Sequence, residues 1–276
     1  MNQVKQVNAG IVTINELWSG VYLLWAQAPE IAALARPGQY VMVRCGDGQD
    51  MPLRRPLSVH RISTDGRVAF LFAVVGRGTE WLAQRREGDS LDLFGPLGNG
   101  FEIYSSSRNL LLVAGGIGIA PLAALAEQAV ATGRSVTLLI GDKTSSRIYP
   151  DHLLPSGIKP IIATEDGSLG AKGMATDLLP QFIPEVDQVF ACGPLPMYRR
   201  MAGMGNQLGG KPVQVLLEGV LGCGVGACLS CTIDTISGQK LVCKDGPVFE
   251  LSEIVWDKIV APTTRKVLLK RQNRSP

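Results

Sequence analysis

Several things are scarce in this 276-residue chain, and each scarcity excludes something. There is no unbroken apolar run of the roughly 18 residues that a spanning helix needs. The opening stretch Met1-Asn-Gln-Val-Lys-Gln-Val7 has no apolar core of the kind a signal peptide carries. The expectation is a cytoplasmic protein with no membrane partner. Surplus charge is small: the net value is +3 and charged residues make up 18%, so the body is neither a polyanion nor a basic nucleic-acid binder. Lys266, Lys270, Arg271 and Arg274 gather near the end without aromatic residues to stack on bases, which reads as a solvated tail. Histidine is limited to His60 and His152, isolated from one another and read as structural or surface groups, and no acid–base triad is visible. What is present is apolar substance: 46% hydrophobic residues, enough for two domains or three small ones.

The chain changes texture along its length. Up to about residue 103 short strand-like runs alternate with Pro- and Gly-containing turns: Gly10–Ile14, Val21–Trp25, Tyr40–Arg44, Val68–Phe72 and Ser90–Phe94. That spacing predicts a small antiparallel barrel, with Ala35-Arg-Pro-Gly-Gln39 and Gly95-Pro-Leu-Gly-Asn-Gly100 as turns. From Asn109-Leu-Leu-Leu-Val-Ala-Gly115 onward, apolar strands (Val136–Ile140, Pro160–Thr164, Gln188–Cys192) alternate with helices (Pro121–Val130, Met174–Leu179). This predicts a parallel sheet covered on both faces. A last part begins near Val213. The expected fold is multi-domain, β plus α/β, with boundaries at 1–103, 104–212 and 213–276.

Six cysteines in a reducing compartment argue for metal or redox chemistry rather than disulfides. Four fall in one region. Cys223, Cys228 and Cys231 read Cys-x4-Cys-x2-Cys within Leu221-Gly-Cys-Gly-Val-Gly-Ala-Cys-Leu-Ser-Cys231, and Cys243 follows in Leu241-Val-Cys-Lys-Asp-Gly-Pro-Val-Phe249. This order matches the ligand spacing of a plant-type [2Fe–2S] cluster. Structural zinc is the alternative, though it more often takes two Cys-x2-Cys pairs. Gly222, Gly224 and Gly226 allow the backbone to wrap tightly and aim N–H groups at sulfur. Cys45, alone in a strand-like run, is expected to be a plain core or surface thiol.

Two further regions have the texture of nucleotide sites. Leu53-Arg-Arg-Pro-Leu-Ser58 reads as a loop before a strand at Val59–Ile62. Arg55 there suits a pyrophosphate and Ser58 a flavin ring or phosphate, the competing reading being a solvated edge. Val74-Val-Gly-Arg-Gly-Thr79 is a Gly-rich turn entering a helix near Thr79, where backbone N–H groups hold phosphate. Gly115-Gly-Ile-Gly-Ile-Ala-Pro-Leu122 stands between an apolar strand and a helix, the context of a dinucleotide pyrophosphate loop. It departs from G-x-G-x-x-G in having Pro121 at the last position, read as the first helical residue. Gly141-Asp142-Lys143 leaves the nicotinamide form open: Asp142 favours NADH, and Lys143 favours a 2′-phosphate. Cys192-Gly-Pro-Leu-Pro-Met197 ends a strand of the same sheet, where Cys192 would face a nicotinamide ring or be a buried thiol.

Taken in order, Arg55-Pro-Leu-Ser58, Gly78-Thr79, Gly95–Phe101, Gly115–Pro121 and Cys192-Gly-Pro194 resemble the ferredoxin–NADP reductase superfamily. The cysteine region, with Val242-Cys-Lys-Asp-Gly-Pro-Val-Phe249, resembles more specifically the electron-transfer subunit of class 1B dihydroorotate dehydrogenase. The resemblance runs from about residue 5 to 250. It implies an FAD-binding barrel, an NAD-binding α/β domain and a [2Fe–2S] lobe. It further implies FAD contacts at Arg55, Pro56, Leu57, Ser58, Leu71, Phe72, Ala73, Gly78 and Thr79, and NAD contacts at Gly115, Gly116, Gly118, Cys192 and Gly193. Cluster ligands are implied at Cys223, Cys228, Cys231 and Cys243. Ala73 departs from the family pattern, which often carries Arg there and gains a phosphate partner by it. The implied role is an NAD-dependent oxidoreductase subunit. It relays electrons to or from an FMN-containing dihydroorotate dehydrogenase catalytic subunit in pyrimidine biosynthesis, as a hetero-tetramer of two of each chain. The orotate chemistry is expected on that partner, and no catalytic residue is expected here. The rival readings are a related reductase subunit serving a ferredoxin-linked transhydrogenase or hydrogenase, a zinc interaction module, and a cluster-based redox regulator.

Overall fold

The computed structural model describes residues 4–46 and 51–259, so the basic tail from Lys266 to Arg274 and the start of the N-terminal stretch lie outside the described residues. Six strands close a barrel: β1 (Lys5–Trp18), β2 (Val21–Gln27), β3 (Tyr40–Val43), β4 (Arg55–Ile62), β5 (Arg67–Ala73) and β6 (Ser90–Leu97), in the order β1-β2-β5-β4-β3-β6 and antiparallel throughout. A short helix, α1 (Pro29–Ala32), follows β2, and α2 (Arg77–Ala83) follows β5. Inward-pointing residues Leu24, Val41, Val43, Val59, Phe70, Leu91 and Leu93 fill the interior, together with the thiol of Cys45. Two expectations shift. Arg55–Ser58 are strand rather than loop, because β3 is long enough to pair with them from Val43↔Arg55 to Tyr40↔Ser58. Gly95, Pro96 and Leu97 also continue β6 rather than turning, since β1 and β3 both still border them.

The second unit begins with β7 (Asn109–Gly115), then α3 (Ile119–Ala131), β8 (Ser135–Asp142), β9 (Ile161–Thr164), the two-residue β10 (Ala171–Lys172), α4 (Ala175–Phe182), β11 (Gln188–Cys192) and α5 (Leu195–Gly203). The period of two in a strand sends alternate residues to opposite faces, and β7 shows the result. Leu110, Leu112 and Ala114 join Leu122, Leu125 and Ala126 of α3 in one core, while Leu111 and Val113 join Leu179 of α4 and Met201 of α5 in the other. That double burial is why β7 reads as a continuous apolar run. Helix α3 begins at Ile119, so Pro121 is the third helical residue rather than the first. It is tolerated there because the first four N–H groups of a helix have no internal partner.

Beyond the boundary expected after residue 212, β12 (Val213–Leu216) pairs parallel with β11. After the hairpin β13 (Thr232–Thr235) and β14 (Gly238–Leu241), β15 (Val248–Glu250) returns antiparallel to β12. The sheet therefore runs β10-β9-β8-β7-β11-β12-β15, and the cysteine loops hang from its last two strands. Cys231, Val242 and Cys243 share one core with Val215, Leu217 and the barrel residues Tyr40, Met42 and Leu97. The third part is thus packed against both of the others.

Candidate functional site

The barrel and the parallel sheet face each other across a cleft. Its barrel wall is Pro56, Leu57 and Ser58 from β4, Leu71, Phe72 and Ala73 from β5, and Thr79 from α2. Ile117, Ala120 and Pro121 form the opposite wall, and Leu216 to Gly219 close one end. Strand pairing brings these residues together: β4 and β5 are neighbours in the barrel, and the ends of both present one rim. Val75, in the lining, is 75% exposed, an apolar surface that a flat ring system would cover. Thr79 is the anchor of the following turn. Its Oγ1 accepts hydrogen bonds from the Val75 and Gly76 amides (2.9 and 3.2 Å) and donates to the Gly76 carbonyl (3.0 Å). Helix α2 begins at Arg77, two residues before Thr79, because this side chain caps the turn from inside the helix. A Cβ at Gly78 would stand 2.6 Å from Arg55 Nε, so the missing side chain gives the guanidinium its seat beside the helix start. An apolar slot with an arginine and a helix start at one end fits an isoalloxazine ring with its phosphates.

On the other side of Ile117 lies a cavity of about 640 Å³, well within the size range of cofactor sites. Ile117 lines both spaces. Gly115 and Gly116 line this second cavity, with Asp142 at the end of β8, Lys143 and Arg147 beyond it, and Pro194, Met197 and Arg200 of the last strand–helix turn and α5. Gly116 is left-handed (φ +56°), and Asp142 Oδ2 lies 3.5 Å from where its Cβ would be. The Asp142 carboxylate is 6% exposed, paired with Arg147 Nε at 2.9 Å and accepting from the Lys143 amide at 2.6 Å. Three of the five expected nicotinamide residues do not line the cavity. Gly118 is a packing glycine, since a Cβ would stand 1.9 Å from the Cys192 carbonyl oxygen. Gly193 lets Met197 and Gly115 close over it. Cys192 is 2% exposed, packed in the α3-side core, and burial pushes its thiol far above the ordinary range. Arg147 and Arg200 carry no sequence signal; only the fold places them at the mouth.

The four cysteines form the third element. Cys223 Sγ accepts from the amides of Val225, Ala227 and Cys228 (3.4, 3.2 and 3.4 Å). Cys243 Sγ accepts from Gly226 N at 3.1 Å, and Cys231 Sγ from Cys243 N at 3.4 Å. Left-handed turns at Gly224 and Gly226 (φ +77° and +80°) aim these N–H groups inward, and Leu229, φ +58°, extends the same curl without glycine's freedom. A nest of amides around sulfur stabilises thiolate charge. Cys228, at the surface, is pulled down to about 6 by hydrogen bonds from Ser230 and then Cys223, while burial and then Cys231 push Cys243 up to about 12. Among the described residues no three His, Cys, Asp or Glu side chains close on one point as a single ion requires. Cysteine sulfurs in an amide-lined curl, in the order Cys-x4-Cys-x2-Cys followed by Cys243, match the ligand set of a [2Fe–2S] cluster.

The elements meet. Tyr40 lines the flavin cleft, and its hydroxyl lies 3.1 Å from the carbonyl oxygens of both Gly224 and Cys243. Burial, and then the nearby thiols, hold that phenol well above its ordinary pKa, so it stays a donor. Leu217, Glu218 and Gly219 line both the cleft and a recess that reaches Cys231, and desolvation raises the Glu218 carboxyl.

Comparison with known proteins agrees with this geometry. Residues 218–255 match the iron–sulfur cluster binding domain of dihydroorotate dehydrogenase B. The dihydroorotate dehydrogenase B (NAD(+)) electron transfer subunit of Desulforamulus reducens is 38% identical over 261 residues, 92% of this chain and 99% of that protein. The Bacillus caldolyticus subunit of the same name is 38% identical over 82% of this chain and 89% of that protein. Among solved structures, an NADH-dependent reduced ferredoxin–NADP oxidoreductase studied for flavin-based electron bifurcation superposes with TM-score 0.82 at 31% identity, covering 91% of each chain. The ferredoxin reductase of carbazole 1,9a-dioxygenase shares the fold, at TM-score 0.64 and 23% identity over 77% of this chain and 69% of that one.

Fold and site define an NAD-dependent electron-transfer oxidoreductase subunit of the ferredoxin-reductase type with an added iron–sulfur domain. Its cofactor set is FAD, a [2Fe–2S] cluster and NAD(H). The chain belongs to the family of dihydroorotate dehydrogenase B electron transfer subunits.

Proposed function

We propose that this chain relays electrons between NAD(H) and an FMN-containing dihydroorotate dehydrogenase catalytic subunit, as the electron-transfer half of a cytoplasmic hetero-tetramer of two of each chain, in pyrimidine biosynthesis. The observation that carries the reading is contiguity. Ile117 is common to the nicotinamide and flavin cavities, and Tyr40 and Leu217–Gly219 are common to the flavin cleft and the surroundings of the cysteine loop. Hydride donors deliver electrons in pairs and the cluster accepts one, and a bound flavin supplies that conversion.

The chain's own residues do the positioning. Arg55, Gly78 and Thr79 serve the flavin's phosphate end, while Pro56 to Ser58 and Leu71 to Ala73 form the ring's wall. Ala73 brings no charge, so phosphate recognition rests on Arg55 and the α2 start. Gly115 and Gly116 bring backbone to the dinucleotide, and Arg147 and Arg200 supply positive charge at the cavity mouth. Asp142, held by Arg147, favours a free ribose over a 2′-phosphate, which points to NADH. Cys223, Cys228, Cys231 and Cys243 hold the cluster. On this reading the chain divides into a flavin barrel (1–103), a nicotinamide domain (104–212) and a cluster part (213–276) whose strands complete the sheet. On this reading proton abstraction from dihydroorotate belongs to the partner.

Co-expression with the cognate catalytic subunit tests the reading. A complex that couples dihydroorotate oxidation to NAD+ reduction supports it. A complex that binds FAD and iron and oxidises NADH, yet neither assembles with that subunit nor yields orotate, assigns the chain to another acceptor.

A further inference from the structure

A single barrel side chain joins the flavin cleft to the cysteine curl. Tyr40 is 3% exposed, and its ring forms part of the cleft wall. Its hydroxyl reaches the carbonyl oxygens of Gly224 and Cys243, residues far away in sequence on either side of the cysteine curl, both at 3.1 Å. A phenol has one proton to donate, so the two carbonyls share it. The ring has little freedom to swing: a Cβ at Gly98 would lie 3.0 Å from Tyr40 Cε1. Two positions along β3, on the same strand face, Met42 packs against the same turn. A Cβ at Gly224 would lie 2.9 Å from Met42 Cγ and 3.1 Å from Leu97 Cδ1. Asn99 fastens the far flank, its Nδ2 donating to the Asp245 carbonyl at 2.9 Å and its amide to that of Gly246 at 2.6 Å. The barrel thus grips the cysteine loop by packing at Met42 and Leu97, by backbone bonding at Asn99 and by the Tyr40 hydroxyl. Only the last of these also faces the flavin cleft.

We infer that Tyr40 is a positioning residue that seats the cysteine curl against the flavin cleft and sets the surroundings of the cluster through the Gly224 and Cys243 carbonyls. This rests on the flavin and cluster assignments above. Carbonyls left without their donor turn toward other partners, and the amides of the same curl that point at sulfur move with them. Hydrogen bonding and solvent exposure are the protein's levers on cluster potential, so both the loop's rigidity and the potential depend on one hydroxyl.

The test uses the full chain in complex with its catalytic subunit, loaded with FAD and iron, and the Tyr40→Phe variant, which keeps the ring and removes the hydroxyl. Loss of one buried hydrogen bond is expected to speed amide exchange at residues 224–226 and 243 about fivefold. Iron release to a chelator should accelerate by a similar factor, and the midpoint potential and EPR line shape of the reduced cluster should shift. Met42→Leu, which perturbs the packing contact alone, should leave potential and line shape in place. Replacing Tyr40 by 3-fluorotyrosine, which keeps the hydroxyl and changes only its strength as a donor, gives a second reading: the cluster potential should shift with the fold intact even if Tyr40→Phe folds poorly. Unchanged exchange, iron release and potential in Tyr40→Phe would overturn the inference, as would an equal potential shift in Met42→Leu. A parent protein that binds no iron or flavin would instead sink the cofactor assignments on which it rests.

Discussion

His60 offers the sharpest physical forecast. It lies on β4 directly behind the flavin wall, is fully buried, and bridges the two large units: Nδ1 is 2.8 Å from the Ala120 carbonyl oxygen and Nε2 is 2.9 Å from the Tyr149 hydroxyl. A carbonyl only accepts, so Nδ1 carries the proton and Nε2 accepts from Tyr149, which fixes one neutral tautomer. Burial, aided by the adjacent Arg61, lowers its pKa from 6.5 to about 4, against a smaller upward pull from the Ala120 bond. The sign follows from linkage. As pH falls, the unfolded chain takes up this proton near 6.5 and the native one only near 4. Stability is therefore complete above about 6.5 and declines as pH falls toward 4. The whole displacement corresponds to about 3 kcal/mol, of which about 2 kcal/mol is lost between pH 7.5 and 5. Urea unfolding of the parent and of His60→Gln at those two pH values isolates this contribution from the carboxylates common to both. The parent should lose about 2 kcal/mol more than the variant. NMR of the imidazoles, simple to assign with only two histidines, should show the His60 ring neutral through pH 5. Equal pH dependence in both proteins, or a His60 ring that protonates near 6.5, would refute the reasoning.

Other expectations follow from single contacts. Cys231→Ser removes a buried sulfur from the amide nest and should abolish the cluster's visible and EPR signals while the flavin spectrum persists. Loss of bound flavin to the same degree would count against separate sites. Thr79→Val removes the hydroxyl that holds the Val75 and Gly76 amides, and flavin affinity measured by fluorescence should fall about tenfold, consistent with one to two lost hydrogen bonds. Gly118→Ala drives a methyl into the Cys192 carbonyl, so stability should drop by about 3 kcal/mol, read as a lower urea midpoint. Asp142→Ser removes the carboxylate at the nicotinamide cavity mouth, and the kcat/KM ratio for NADPH over NADH should rise about tenfold. No change in that ratio would remove Asp142 from cofactor choice.

How much of this the sequence discloses depends on the range of each interaction. The cysteine spacing is legible because cluster ligation imposes local separations, and the barrel rim residues Pro56 to Ser58 and Leu71 to Ala73 gather on one cleft because adjacent strands carry them. The two faces of β7 are legible as an apolar run because both are covered. The sequence is silent where tertiary contact decides. Gly95-Pro-Leu97 has turn composition, yet two neighbouring strands hold it as sheet. Gly118 and Cys192 lie in nucleotide-loop motifs, but one is small for packing and the other is buried in the core beside α3. Helix α5, which brings Arg200 to the nicotinamide cavity, opens with prolines that read as loop. Tyr40 lies in an ordinary strand pattern, and nothing local announces that its hydroxyl belongs to a loop far down the chain.

The central claim is that electrons pass through this chain between nicotinamide and a dihydroorotate-oxidising partner by way of the four-cysteine cluster. The most direct measurement is dihydroorotate-driven NAD+ reduction by the co-purified complex, compared between the parent and Cys231→Ser, with flavin content equal in both. Turnover is expected in the parent and its collapse in the variant, while direct NADH oxidation with a two-electron dye survives. Equal dihydroorotate-driven NADH formation with and without the cluster would contradict the claim.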